Sequence, residues 1–584
     1  MVEKLFIRVD EEALDLPEDI QLQMTLNNPW VDKSTSIKAS VSFPFTLPAT
    51  PRNVKKLNHP YRINQKPGSS KIIENVTIGY DNTVLYTGVL LITDATERAI
   101  EVSFGVGASN FYSRIADTTL PELFEDTTIT FSNTDETDFD DLLIQSVLET
   151  ADTKEFVCAP FFNWRFYNDD ITTSYITEPF QNYLEKDVSG TYSFSSADSI
   201  MTPFLYMKYV IETMATLLGF DIKANFLVAD TEFKTLIVYN NYDANGYDLP
   251  DNIIPVKELL PAMKIEDFIT STQNLLNVYF DFNLRNNNIN VVDIEQLIVS
   301  PEYTDWTVGA EAYPVISYEV AKNGYTLEHT IDTNDSIGST FSQLEEDVEF
   351  TILDPVNLVA DLPTTDPVFS VRYVYNTKKY YIYSTPNPVT AASWGTFIFD
   401  MSKYISGNGD FVIKTNISPF LHRKGGLIFE YDFSGFGTNI YVCHAELNGN
   451  SIYNNGNRKE FGMHLMFFRG EKPTEQGGNF VTATCDTGLI FDFDPDLNYA
   501  LTWEHPTPYG DKGLKTTRYK NYLYWYFNER KVVKYRRYCS LSDLLNVSFA
   551  QKYRIGQTNY FIQQLNVTLG MYKIEPAELT LLKV

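Results

Sequence analysis

Six histidines, four cysteines and a surplus of carboxylates are the side chains here whose chemistry depends on spacing. His59, His329, His422, His444, His464 and His505 stand apart, with no HExxH pair to seat a catalytic zinc ion on one helix face and no neighbouring cysteine pair. Cys158, Cys443, Cys485 and Cys539 are scattered without a CxxC, which serves neither a disulfide framework nor a zinc site and reads as reduced, mostly buried thiols. There is no GxSxG elbow, and "SGNGDFV" has two glycines without the third glycine or the lysine that would cradle a phosphate. These patterns call for no cofactor and no metal, and the chain reads as a non-enzyme.

Three acidic arrangements come nearer to chemistry. From Asp332, "DTNDSIGSTFSQ" places oxygen ligands at alternate positions as an EF-hand loop does, but Ile337 stands where the turn needs glycine and Gln343 where a bidentate glutamate belongs. Asp492, Asp494 and Asp496 in "FDFDPDLN" project to one side of a strand, as calcium ligands in a sandwich loop or as a solvated edge. Glu504 and His505 in "TWEHP" fall on opposite faces of a strand and read as loop polarity. With 76 Asp and Glu, some pair reaches glycosidase separation by chance, so spacing cannot identify one.

What remains is basic and aromatic. Nine of 46 basic residues fall between Lys512 and Arg537, interleaved with Tyr519, Tyr522, Tyr524, Trp525, Tyr526, Tyr535 and Tyr538. Such a stretch can stack on single-stranded nucleic acid. A formal net charge of −30 opposes that approach, so docking on an acidic neighbour, another copy of this chain among them, is the better reading. Tyr524, Trp525, Lys534, Arg536 and Arg537 are its candidate interface residues; the plain alternative is a hairpin with cross-strand aromatics. A second basic spot, Arg52, Lys55 and Lys56, follows the proline-punctuated run "SVSFPFTLPATP". Proline lacks an N–H, so Pro44 and Pro48 confine that run to a sheet edge or a surface, while Thr50 and Pro51 start a short helix, roughly Pro51 to Leu57. Pro44, Pro48, Arg52, Lys55 and Lys56 are therefore candidate contacts as an ordered arm, against the alternative of a solvated helix face.

The elements that must position these residues follow from periodicity. A chain of 584 residues exceeds one core and divides into three or four domains. No apolar run approaches the length of a membrane span, and the acidic N-terminus does not resemble an export signal, so synthesis in a cytoplasm is expected. Residues 71 to 104 alternate as strands, with Val76, Ile78, Val84, Tyr86, Ile100, Val102 and Phe104 on one face. Residues 132 to 150 read as acids capping a helix. Residues 201 to 219 read as a helix capped by Thr202, opened by Pro203 and closed by Gly219, with Met207, Val210, Ile211, Met214, Leu217 and Leu218 inward. Ile265, Phe268, Ile269, Leu275 and Leu276 form a second helical stripe, followed by a hairpin about "RNNN". Beyond residue 300 short strands dominate, and the chain ends with a hairpin about "NER", a helix begun by Ser542 and further strands. The fold class is mainly β with α+β portions, multidomain, with antiparallel barrels or sandwiches and a few amphipathic helices. Its expected domains are an N-terminal barrel (1–130), an α+β domain (131–300), a C-terminal barrel (301–384 with 520–584) and an inserted jelly-roll-like sandwich (385–519).

The segments "SFPFTLPATPRNVKKL", "VTIGYDNTVLYTGVLLIT", "AIEVSFGVG", "PFLYMKYVIETMATLLGF", "LLPAMKIEDFITSTQNLLNVYFDF" and "SLSDLLNVSFAQKYRIGQTNYFIQQL" resemble those of tail hub or baseplate proteins of tailed bacteriophages and prophages of Bacteroidetes-type hosts, including crAss-like phages. The resemblance implies a virion tail protein whose barrels assemble as a homo-oligomeric ring, trimer or hexamer-like, around the tail axis. Its partners would be other phage tail proteins (tube, ring, fibre or spike), with genome DNA passing nearby without sequence-specific binding and no membrane anchor. Residues 385–519 depart from that pattern, which leaves open a carbohydrate-binding adhesin or receptor-binding tail protein, with glycan held against Trp394 or Tyr441. A tail-borne cell-wall hydrolase is a third reading, for which the motifs give little support.

Overall fold

The structure is a computed structural model that describes residues 4–33, 41–62, 72–106, 115–130, 144–164, 199–242, 253–332, 405–420, 462–473, 479–485 and 496–584, with short gaps inside these ranges, and isolated strand pairs within 180–200, 351–383 and 444–493. The chain is multidomain and mainly β with α+β portions, as expected.

Its largest element is a 14-stranded sheet. In order across it run Glu12–Ala13, Leu5–Val9, Ile72–Tyr80, Thr83–Ala95, Ala99–Val106, Val41–Ser42, Gln21–Asn27, Thr558–Gly570, Ala577–Lys583, Val532–Arg537 and Val315–Ser317. The two ends of the sequence meet where Gln21–Asn27 lies antiparallel to Gln564–Gly570 in unbroken register. On that seam Leu22, Met24, Leu565, Val567 and Leu569 are buried, and the Thr25 hydroxyl donates to Asn566 Oδ1 at 2.8 Å. The amides of Lys4 and Leu5 both donate to the Met571 carbonyl, which brings the first strand around to the end of the long one and curls the sheet. A bulge between Ile78 and Gly79 rotates the facing strand, so Leu85, not Val84 or Tyr86, is the residue buried there.

Two hydrophobic cores result. One fills the curled sheet with side chains from 5 to 104 together with 533 to 581; the other joins 115–298 to 411–420, 463–503 and 514–532. The segments 1–130 and 520–584, expected in different domains, thus contribute adjacent strands to one sheet. The segment expected as a separate insertion does the same elsewhere: Met463–Pro473 pairs with Leu236–Val238, in a six-stranded sheet that also holds Phe156–Val157 and Phe204–Tyr206.

Local signals account for the helices that position the junction between the cores. Ile265–Leu276 has Glu266 and Asp267 in its first turn and ends at Asn277 in the left-handed conformation, φ 51°, which asparagine tolerates. Its Asn274 donates to the Lys414 carbonyl, its Ser271 hydroxyl accepts from the Asn416 amide, and its Ser271 carbonyl accepts from the Thr415 hydroxyl. The antiparallel hairpin Val278–Asn283 and Asn288–Asp293 follows as expected. The 201–219 helix is shorter than expected: Phe204–Tyr206 is a strand, the helix is Met207–Leu217, and Thr202 is buried with its hydroxyl donating to the Tyr242 carbonyl. Strand pairing on both sides of Phe204–Tyr206 outweighs the Thr-Pro start signal. The acids of 131–143 lie outside the described residues, and 144–148 is helical.

The expected hairpin about "NER" is absent, and the reason is periodicity. Leu514–Arg518 and Lys520–Tyr524 are helical, Trp525–Glu529 is a π turn, and only Val532–Arg537 is a strand. Tyr519, Tyr522 and Trp525, three residues apart, are each buried, whereas the alternation at Tyr522, Tyr524 and Tyr526 that favours a strand leaves Tyr524 exposed. The last helix, Leu541–Leu545, is capped by Ser540 in a capping box with Asp543, not by Ser542.

Candidate functional site

The proline-rich segment is ordered on its own barrel, not extended as an arm. Phe45–Pro48 pairs antiparallel with Ala99–Val102 and with no other strand among the described residues, the edge position that Pro44 and Pro48 dictate. The helix Pro51–Lys56 is capped by Thr50, whose Oγ1 accepts from the Asn53 amide and donates to Asp15. Arg52 pairs with Asp15 at 2.8 Å and Lys56 with Glu12 at 2.8 Å, so two of the three cations are matched within the chain. Lys55 is exposed and has no ionic partner among the described residues.

The basic and aromatic stretch is likewise largely consumed inside the molecule. Lys515 pairs with Glu504, Arg518 with Asp293, Arg530 with Asp32, Arg536 with Glu578 and Arg537 with Asp543. Trp525 is 1% exposed: its indole N–H donates to the Lys583 carbonyl at 2.7 Å, and its ring stands edge-on to Phe561. Arg537 is buried over the Trp306 ring. As expected contacts for a neighbour, Trp525 and Arg537 are therefore corrected to core residues, because burial leaves no atom of either ring or fork for another chain. Tyr524, Lys534 and Arg536 remain exposed.

At the junction of the cores Lys33 is buried, its Nζ donating to Asn277 Oδ1 at 2.6 Å and lying 5.0 Å from the Tyr522 ring centroid. Asn277 in turn donates to the Arg518 carbonyl and to Glu295, whose carboxylate accepts from the amides of Asn521 and Tyr522. Burial pulls the Lys33 ammonium down to about 7, with Glu295 opposing and Arg518 adding to the effect. The unfolded chain keeps that proton to about pH 10.4. Between those values the unfolded state binds more protons, so stability rises as pH rises from 7 towards 10; below 7 both states are charged and the burial penalty is constant. We expect Lys33→Met to abolish this slope in urea denaturation followed from pH 6 to 10, relative to the parent protein. A parallel pH profile for both proteins would contradict it.

An open cleft of about 830 Å³ lies beside this junction, and Lys223, Asn225, Asp230, Asp293, Tyr499 and Arg518 are part of its lining. Arg518 holds Asp293 by two hydrogen bonds, and the Tyr499 hydroxyl donates to Asp230, so these side chains bond one another across the wall. Asp332 accepts from the Gly462 amide and pairs with His464 at 3.0 Å, while 333–343 lie outside the described residues. Asp494, Trp394, Tyr441 and Cys443 also lie outside them. Among the described residues no group of three His, Cys, Asp or Glu could hold a metal ion, and no helix is long and apolar enough to cross a membrane. Cys158, Cys485 and Cys539 are buried thiols outside any disulfide, and burial pushes the Cys158 thiol up to about 12.

One exposed surface escaped the sequence reading. Val308, Tyr313, Val315, Ile316 and Tyr538 are all more than half exposed, and they surround Val315–Ser317, the last strand of the large sheet. The signal was present in "AYPVIS", where a proline opens a short β-branched run as edge strands do.

The fold thus defines a class, a multidomain mainly-β protein with its terminal strands interwoven. No protein-family model matches the chain, and no curated protein matches it in sequence. Among solved structures it is similar to the 43 kDa tail protein of prophage MuSo2 from Shewanella oneidensis, at 6% identity and a TM-score of 0.31, covering 100% of this chain and 98% of that one. It is also similar to a tail protein from Neisseria meningitidis MC58, at 8% identity and a TM-score of 0.25, covering 100% and 96%.

Proposed function

We propose that this chain is a non-enzymatic structural protein of a bacteriophage tail, an oligomeric hub or adaptor that connects tail components around the DNA channel. The observation that carries this reading is the large sheet that joins both ends of the sequence and terminates in an exposed apolar strand, a geometry suited to repeated contact at a fixed angle. The segments "SFPFTLPATPRNVKKL" and "SLSDLLNVSFAQKYRIGQTNYFIQQL", which resemble those of tail hubs, both build this same sheet region. The surplus of 30 negative charges repels phosphate and keeps a passing genome from adhering to the wall. Negative-stain electron microscopy of the purified full chain tests the reading. Closed rings with a central opening are expected; a uniform population of monomers at assembly concentration would overturn it.

A further inference from the structure

We propose that Val315–Ser317 is a receiving edge for a second copy of this chain, and that the acidic segment 10–19 at the opposite end of the same sheet is what it receives. This rests on the oligomeric reading above and assigns its surfaces. Val315–Ser317 pairs with Val532–Lys534 on one side, and no strand among the described residues pairs with its other side. An open edge is a template for another strand, and soluble proteins ordinarily blunt it with charge, a bulge or a cover. Here the edge carries Val315 at 64% and Ile316 at 52% exposure, with Tyr313 at 89% and Val308 at 86% beside it. The backbone is built to present them. Gly309 has φ +90°, and an added Cβ would come within 2.9 Å of the Tyr538 carbonyl, so the turn that carries Val308 outward tolerates glycine alone.

Charge identifies the occupant. Lys534 lies directly opposite Val315 in the register, and it and Lys531 are exposed without an ionic partner among the described residues. The far end of the sheet is Glu12–Ala13, exposed at both residues, within a segment where Lys56 pairs with Glu12 and Arg52 with Asp15, while Glu11, Glu18 and Asp19 are exposed and have no ionic partner among the described residues. One sheet therefore ends in an apolar strand flanked by lysines and begins in a strand flanked by carboxylates. Joined head to tail, the two ends continue the sheet from one subunit into the next, and a heterologous contact of this kind closes into a ring when its rotation permits. The same charges oppose edge pairing between like ends, which disfavours the two-fold alternative.

Mass photometry and sedimentation of the full chain test this at low and high salt. The parent protein is expected to oligomerise, and Lys531→Glu with Lys534→Glu to weaken association by at least about tenfold. Adding Glu18→Lys and Asp19→Lys to that double variant restores it, because both ends have been reversed. Val315→Lys with Ile316→Lys provides a second route, and all variants keep the monomer's denaturation midpoint, read below the association concentration, because every altered side chain is exposed. Loss of assembly with charge-swap rescue supports the proposal. Assembly unchanged in the edge variants overturns the edge while leaving the ring reading intact; loss without rescue overturns the acidic partner; a parent protein that stays monomeric overturns both readings.

Discussion

Replacing Arg518 with alanine is expected to destabilise the protein by about 3–5 kcal/mol, the scale for breaking a buried ion pair by removing one partner. The guanidinium side chain is 4% exposed and Asp293 is 13% exposed. Its Nε donates to the Leu276 carbonyl at the end of Ile265–Leu276, and its two terminal nitrogens take both oxygens of Asp293 at 3.1 and 2.9 Å. Its face lies 4.3 Å from the Phe226 ring centroid. Alanine would leave a helix-terminal carbonyl and a largely buried carboxylate without these donors, and would empty the space between the rings. Arg518→Met refills the space but not the charge, so its loss should be smaller when combined with Asp293→Asn than when alone. Urea denaturation of the four proteins gives the coupling energy directly. A loss below about 1 kcal/mol for Arg518→Ala would mean that the pair is not the tie it appears in the geometry.

Trp525→Ala should cost a similar amount, about 3–5 kcal/mol, although its neighbour Tyr524→Ala should stay within about 0.5 kcal/mol. The two differ by one position on a helical turn and by burial, 1% against 59% exposed. Trp525 completes a cluster in which Trp30 and Phe561 meet at 4.9 Å and Trp525 and Phe561 at 5.5 Å. Trp30 anchors its own indole N–H on the Phe549 carbonyl at 2.9 Å. The cluster therefore fastens the N-terminal segment to the last strands within one core. Thermal denaturation with oligomer size read in parallel separates this account from the interface reading of the sequence. If Trp525→Ala dissociated oligomers while leaving the monomer's midpoint unchanged, the tryptophan would be a contact after all.

Several elements were legible in the residues themselves. The stripe of Ile265, Phe268, Ile269, Leu275 and Leu276 became a helix, the residues after it a hairpin, and Thr50 with Pro51 a capped helix, because each pattern is satisfied within a dozen residues. Tyr519, Tyr522 and Trp525 misled because one run of aromatics carried two periods at once, and contact with Lys33, Phe561 and Trp30 selected the helical one. Of the candidate contact residues, Trp525 and Arg537 are buried, which the sequence did not reveal. It could not show that Arg52, Lys56, Arg530 and Arg537 already face Asp15, Glu12, Asp32 and Asp543.

Alone, the sequence determined that this protein is mainly β with helical insertions, that Thr50 and Pro51 start a short helix, and that its acidity disfavours phosphate, because caps, periods and net charge depend on near neighbours or on composition. Only the tertiary structure decided that Gln21–Asn27 lies beside Gln564–Gly570, which cations are already spent, and which strand is left at the edge. Alternation tells a strand which face to bury and says nothing about which strand it pairs with. That choice is made by side-chain fit across more than 500 residues of intervening chain, where no local preference reaches.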